Sequence, residues 1–204
     1  STRNPNMIGL PHPMSNRAVF VSVLVLFGIN ILNFYDRHLT GALVEPMRRE
    51  FGLTDTQVGL MGSIFIWIYA IIGVPLGLIA DRWSRKKLLS GGLVVWSAMT
   101  AFGGMVSSFG GMLVTRLGVG IGEAGCSPTA HSLLADYFPQ EKRATALAIY
   151  SMGISIGTLQ GMAIGGIVAE HYGWRTAFLV AGAPGLAFAV LAIFTLREPR
   201  SQLS

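Results

Sequence analysis

Six long apolar runs separated by shorter polar connections set the pattern of this chain: Ala18 to Tyr35, Val58 to Ala80, Leu88 to Ser108, Met112 to Ala135, Ala144 to Val168 and Ala177 to Leu196. A helix needs about 20 apolar residues to cross the roughly 30 Å of a bilayer's hydrocarbon core. Each run therefore predicts one membrane-spanning helix. Strands are a poor alternative, because open strands leave backbone groups unpaired in lipid. The expected fold class is an all-α membrane protein with six transmembrane helices, residues 17–197 forming one six-helix unit. The longest connection, Asp36 to Gln57, contains "EPMRREFGLTD"; Pro46 and Gly52 are expected to break it, and the first helix to run some way into it. Residues 1–16, "STRNPNMIGLPHPMSN", are polar and proline-containing and read as a disordered or appended tail. No small-residue cleavage site follows the first apolar run, so a removable signal peptide is not expected.

Composition agrees with a chain dissolved in lipid. Hydrophobic residues make up 51% and charged residues only 12%, where a soluble domain carries about a quarter charged; mean hydropathy is +0.55. The 26 glycines fit as well, since membrane helices use small residues to let backbones approach. A net charge of +5 raises the possibility of nucleic acid, but no basic helix or aromatic–basic platform is present, and no nucleic-acid partner is expected. The single Cys126 cannot make an internal disulfide.

The cations instead write a membrane topology. With the N-terminus inside, the inner segments hold Arg3, Arg17, Arg82, Arg85, Lys86, Lys87, Lys142, Arg143, Arg197 and Arg200, ten residues against Arg37, Arg48, Arg49 and Arg175 outside. That bias predicts both termini on the cytoplasmic face, in a multi-pass protein of the plasma (inner) membrane. A repeat accompanies it. "GLIADRWSRKKLL" closes the second span and "GIVAEHYGWR" closes the fifth, matching Gly77 with Gly166, Ala80 with Ala169, Asp81 with Glu170, Trp83 with Tyr172 and Lys86 with Arg175. Three spans separate the copies, so they face opposite sides of the membrane. Two inverted three-helix repeats are the expected arrangement, with chance similarity of two helix ends as the alternative.

The fourth span, "GMLVTRLGVGIGEAGCSPTAHSLLAD", carries the candidate chemistry. At 100° per residue, Arg116, Gly120, Glu123, Ser127 and His131 fall within an arc of about 80° that runs about 22 Å along the axis. A stripe this polar must face a water-filled cavity or the bundle interior. Glu123 sits too deep to reach either surface. It is either a structural carboxylate paired with Arg116 or part of a proton pathway, with its protonation set by the contest between burial and a neighbouring arginine. Arg116 either holds Glu123 or binds an anionic head group. His131 is a proton relay or a packing histidine. Pro128, with Gly120, Gly122 and Gly125 before it, predicts a bendable helix. On the first span, "GINILNFYDRHL" aligns Asn30, Asn33 and Arg37 on one side with Asp36 adjacent, which reads as a cavity wall or as interfacial anchoring. The first and fourth spans are expected side by side, gathering Asp36, Arg37, Arg116 and Glu123 around one cavity.

Gly153, Gly157, Gly161 and Gly165 recur every four residues in the fifth span, and Gly73 and Gly77 repeat the device in the second, where Pro75 predicts a kink. Both rows are expected on a common exposed face. No metal-ligand spacing, no activated nucleophile and no phosphate-cradling loop appears, so neither enzyme chemistry, a metal nor a cofactor is expected.

"GLIADRWSRKKLL" resembles the signature loop of the major facilitator superfamily, G-x-x-x-D-R-x-G-R-K, with Ser84 in place of glycine. "ILNFYDRHLTGAL" and "RLGVGIGEAGCSPTAHSLLADYFPQEKRA" resemble the spinster branch, associated with lysophospholipid and sphingosine-phosphate export, in which serine at the Ser84 position is common. A drug–proton antiporter signature would place proline where Thr158 stands. The resemblance covers the chain from Arg17 onward. It implies the N-terminal half of a fold built from two six-helix halves, with residues 198–204 opening a central cytoplasmic loop and a C-terminal half as the missing partner. It also implies an inner-gate motif of Gly77, Asp81, Arg82, Arg85 and Lys86 with Arg143 nearby. Asp36 and Glu123 become candidates for proton coupling, and Arg37, Arg116, Asn33, Asn30, Ser127 and His131 for contact with a small amphiphilic or anionic substrate. The expected function is proton-coupled secondary transport by alternating access; a transporter of organic anions or drugs from another branch, or a non-transporting six-helix scaffold, is the alternative.

Overall fold

The computed structural model describes residues 15–80 and 83–198. Asp81 and Arg82 of the expected gate motif, the tail before residue 15 and the segment after residue 198 lie outside the described residues. The described part is all-helical, with α1 (Asn16–Ala42), α2 (Val44–Phe51), α3 (Asp55–Ala80), α4 (Arg85–Gly103), α5 (Phe109–Ala124), α6 (Cys126–Tyr137), α7 (Gln140–Tyr172) and α8 (Trp174–Thr195). Four of these, α1, α3, α7 and α8, are long and apolar enough to cross a membrane. The third apolar run forms α4, whose 19 residues open on Arg85, Lys86 and Lys87. The fourth run is divided between α5 and α6.

That division has a local cause. Pro128 has no N–H to offer the carbonyl of Ala124, so the helical ladder is interrupted there. Gly125 absorbs the break, its N–H reaching back to the Glu123 carbonyl, and the ladder restarts with Thr129 N–H to Gly125 O at 3.2 Å. The bend expected from this glycine–proline segment is thus a break between two helices. Pro46 behaves differently from the expectation. It lies in the first turn of α2, where a missing N–H costs nothing, and only Gly52, in the left-handed region at φ 63°, ends that helix.

The glycine row of α7 also corrects the expectation of an exposed face. Gly153, Gly157, Gly161 and Gly165 are all buried, and they lie against α1. A side chain at Gly157 would strike the Ile31 carbonyl, one at Gly161 the Tyr35 carbonyl, and one at Gly165 the Leu39 side chain. The row is a slot for α1 within this chain. A side chain at Gly73 of the second row would come within 3.8 Å of the Ala124 carbonyl of α5, while Gly77 has open space before it. What remains exposed is larger and more apolar: Ile66, Trp67, Ile71, Val74 and Leu78 of α3.

Two apolar clusters fill the interior. One centres on Leu26, Ile29, Leu93, Trp96 and Leu133, the other on Leu39, Met47, Met61, Met112 and Phe178. Along α1, Asn33, Asp36 and Arg37 fall between Ile29 of the first cluster and Leu39 of the second. Each end of the bundle is closed by a basic side chain. At one end, Arg85, only 1% exposed, bridges Asp136 at 2.7 Å and Glu198 at 2.6 Å and donates to Ser132 Oγ at 2.9 Å. At the other, Arg175 donates to Glu50 at 2.6 Å and to the Val106 carbonyl at 2.9 Å, while Trp174 Nε1 donates to Glu50 at 2.7 Å. The Arg175 hydrogen bond, followed by that of Trp174, holds the Glu50 carboxyl below its ordinary range.

Two measurements check this packing. Gly161→Val should lower the stability of the full-length protein by about 3 kcal/mol or more through overpacking, whereas Gly166→Ala, with nothing within 4 Å of the added carbon, should melt like the parent. Glu50→Gln should melt below the parent at neutral pH. Because the folded state depresses this carboxyl, its contribution is complete above the unfolded value and is lost as pH falls, so the two melting curves should converge in acid, below about pH 4.

Candidate functional site

The polar layer on α1 meets α5 at a buried ion pair. Arg37 Nε donates to Glu123 Oε2 at 2.8 Å, with Glu123 wholly buried and the Arg37 side chain 21% exposed. Asp36, one residue earlier, accepts from Thr100 Oγ1 of α4 at 3.2 Å. Arg116, two turns before Glu123 on α5, donates to Thr40 Oγ1 of α1 and lies with its guanidinium carbon 5.2 Å from the Phe178 ring. Two acids and two arginines are therefore gathered inside an apolar bundle, as the sequence led us to expect. The pairing differs. Glu123 takes Arg37 from another helix, and Arg116 is bonded to Thr40, not to Glu123.

Both polar atoms of the Asn33 amide, Asp36 Oδ1, Glu123 Oε1, one terminal nitrogen of Arg37 and two nitrogens of Arg116 are buried without a hydrogen-bond partner among the described residues. Buried polar groups are paired in the great majority of proteins, and a partly satisfied buried network costs stability. Removing ionised groups from water costs several kcal/mol each, only partly repaid by pairing.

Helix packing explains why these groups converge. α1 is seated principally against α7 and α8, and it reaches α5 through side chains, so the first and fourth apolar runs meet at their polar residues more than along their length. Gly120 is buried against α3, where any side chain would collide with Ile68 and with the Phe65 carbonyl. This close approach carries Phe65 and Tyr69 of α3 to the Arg37 guanidinium.

Other expected members stand apart. Asn30 donates to the Tyr150 carbonyl at 2.6 Å and ties α1 to α7, so it belongs to the helix contact and not to the cavity wall. Ser127 is half-buried and His131 exposed on α6, past the break at Gly125; the His131 ring lies edge-on to Tyr150 at 5.3 Å. The stripe drawn on a continuous helix therefore divides after Glu123. In the gate motif, Arg85 forms the bridges described above and Lys86 offers its backbone N–H to Glu198 at 3.1 Å. Arg143 is exposed and donates to the Phe138 carbonyl, and Gly77 is half-buried.

Several participants escaped the sequence reading. Thr40, Thr100, Asp136 and Glu198 are the acceptors and donors that complete the two centres, and Phe34, Phe65 and Tyr69 surround Arg37 at 5.0, 5.4 and 4.5 Å. In an apolar span an aromatic residue at helical spacing reads as core, so only the i, i+3 relation of Phe34 to Arg37 carried a signal. Among the described residues no group of three or more His, Cys, Asp or Glu is placed to hold a metal ion.

Comparison with known proteins agrees with this architecture. Residues 26–204 match the family model of the Major Facilitator Superfamily. The chain is 35% identical over 181 residues to an MFS-type efflux pump of Mycolicibacterium smegmatis, covering 88% of this chain and 42% of that protein. It is 33% identical over 180 residues to human protein spinster homolog 1, covering 87% and 34%. Among solved structures, a bacterial homolog of the human lysosomal transporter spinster, inward-facing and occupied, superposes with a TM-score of 0.87 at 36% identity, covering 91% of this chain and 46% of that one. A proton:xylose symporter at 19% identity and TM-score 0.82 shares the fold. The chain thus spans less than half the length of the relatives it matches. A multi-pass helical bundle with buried charge, a family model covering most of the sequence and spinster proteins among its relatives lead to one conclusion: the chain belongs to the Major Facilitator Superfamily, among membrane transporters and not among enzymes.

Proposed function

We propose that this chain is the N-terminal half of a proton-coupled secondary transporter that moves a small amphiphilic or anionic solute, of lysophospholipid-like chemistry, by alternating access. In this reading α4 and the broken α5–α6 pair are crossings as well, giving six spans with both termini cytoplasmic in the plasma membrane. A C-terminal half is the partner. The spinster relatives favour the lipid-like substrate, and the relative named as an efflux pump favours outward movement.

One observation carries the coupling: Glu123, wholly buried, is ion-paired to Arg37 beside Asp36 and Arg116. The cluster holds two acids and two arginines. Fully ionised, it is neutral, and each arginine has a carboxylate near at hand. A proton on Glu123 removes one negative charge and leaves Arg37 without a counter-ion. An anionic head group is then attracted to the positive charge that remains. Loss of the proton restores the carboxylate, which competes with the anion for the same guanidinium. Proton and anion are thereby linked through one arginine. The reciprocity of linked binding requires that each alter the affinity of the other. The two end closures supply the remaining element. Arg85 and Arg175 lie at the starts of α4 and α8 at opposite ends of the bundle, and rocking between halves needs closures of this kind at both ends.

The experiment is proton flux in liposomes containing the full-length protein, with and without a lysophospholipid. Glu123→Gln should abolish proton-driven movement while the protein still folds, because the amide keeps the shape and loses the titration. Undiminished pH-dependent transport in that variant would remove Glu123 from the coupling role and transfer it to Asp36.

A further inference from the structure

Arg37 is held by more than an acid. Besides its bond to Glu123, its guanidinium carbon lies 5.0 Å from the Phe34 ring, 5.4 Å from Phe65 and 4.5 Å from Tyr69. Phe34 stands one turn before Arg37 on α1. Phe65 and Tyr69 stand one turn apart on α3, with ring centres 5.9 Å from each other. Gly120 allows this stretch of α3 to press on α5 one turn from Glu123. The rings and the carboxylate therefore approach one cation from separate helices. Aromatic faces attract a guanidinium whether or not an anion attends it, more strongly where water is excluded. The guanidinium itself stays charged.

We propose that Phe34, Phe65 and Tyr69 are positioning residues that hold the Arg37 guanidinium at the site after Glu123 has taken up a proton. The inference rests on the coupling reading above and deepens it. An arginine side chain is long and jointed, and released from its acid it would turn toward water along the path by which it is already partly exposed. The linkage would then fail, since the positive charge would leave when the anion needs it. With the ring box in place, protonation of Glu123 uncovers a fixed cation. The charged and titratable groups that face Glu123 are Arg37 and Asp36 from α1, Arg116 from α5 itself, Cys126 from α6 and, across Arg37, Tyr69 from α3. Of these only Arg37 is enclosed by three rings.

The test asks where Arg37 is when the acid is neutral, without using any transported solute. Full-length protein in lipid nanodiscs is treated with phenylglyoxal at one pH, and modification of Arg37 is followed by peptide mass spectrometry. Glu123→Gln alone should change the labelling rate by less than about twofold, because the box retains the guanidinium. Adding Tyr69→Leu in that background should accelerate labelling roughly tenfold, the population shift expected from losing one well-placed ring. Tyr69→Phe, which keeps the ring, should stay near the Glu123→Gln rate, and labelling of Arg116 should not follow the series. Phe65→Leu provides the same comparison if Tyr69→Leu does not fold. Rapid labelling with Glu123→Gln alone, or no acceleration on removing a ring, overturns the proposal. Proton flux in Glu123→Gln is a separate measurement, so failure of the coupling role is distinguished from failure of the positioning role.

Discussion

The ion pair between Arg37 and Glu123 is the constraint around which this bundle is arranged. An ionised carboxylate and a guanidinium enclosed by apolar helices need each other, since separating them leaves an uncompensated charge. They come from helices distant in sequence, α1 and α5. Holding them 2.8 Å apart therefore fixes the position of α1 against the rest of the structure. The glycine slot of α7 receives α1 at the depth this requires, and Gly120 brings α3 close enough to enclose the arginine. Small residues matter here because helix association in lipid depends on close packing, with no hydrophobic drive between helices.

The same constraint explains why the core is divided. Apolar clusters lie on either side of the charged residues along α1, one around Ile29 and one around Leu39. Each cluster excludes water from one side of the layer, which strengthens the electrostatic interactions within it. Asn33, Asp36 and Arg116 each place polar atoms in this buried layer. A bundle selected only to remain folded gains by replacing such groups with apolar ones of similar volume.

Much of this was legible in the sequence, for identifiable reasons. Charge is so expensive in lipid that Asp36, Arg37, Arg116 and Glu123 stood out against the apolar runs, and helical periodicity brought Arg116 and Glu123 to one face. The partner choice was not legible. Spacing along α5 offered Arg116 to Glu123, whereas the fold supplied Arg37 from α1, a contact that depends on how deeply two helices interlock. The same limit applies to the α7 glycines, whose four-residue recurrence marks a smooth groove without saying which helix fills it. His131 and Ser127 were placed on the stripe by treating the fourth run as one helix. Pro128 removes that assumption, because its missing N–H interrupts the helical ladder at Gly125 and divides the run into α5 and α6. The aromatic residues around Arg37 were hidden for the opposite reason, being indistinguishable by type from ordinary packing residues.

The two end closures clarify how a buried pair of this kind can be linked to larger movement. Arg85 is nearly inaccessible and engages two acids, one at the end of α6 and one after α8. Arg175 is more exposed and engages a single acid on the short α2, with help from the indole of Trp174. The first closure is thus the more deeply buried and more completely bonded of the two, while the second is open to solvent and screened by salt. In the proposed transporter, that asymmetry belongs to this half alone, and the opposite half would have to supply the compensating contacts. The central charge layer lies between the closures, and its Arg37 meets both an acid, Glu123, and the rings of Phe34, Phe65 and Tyr69.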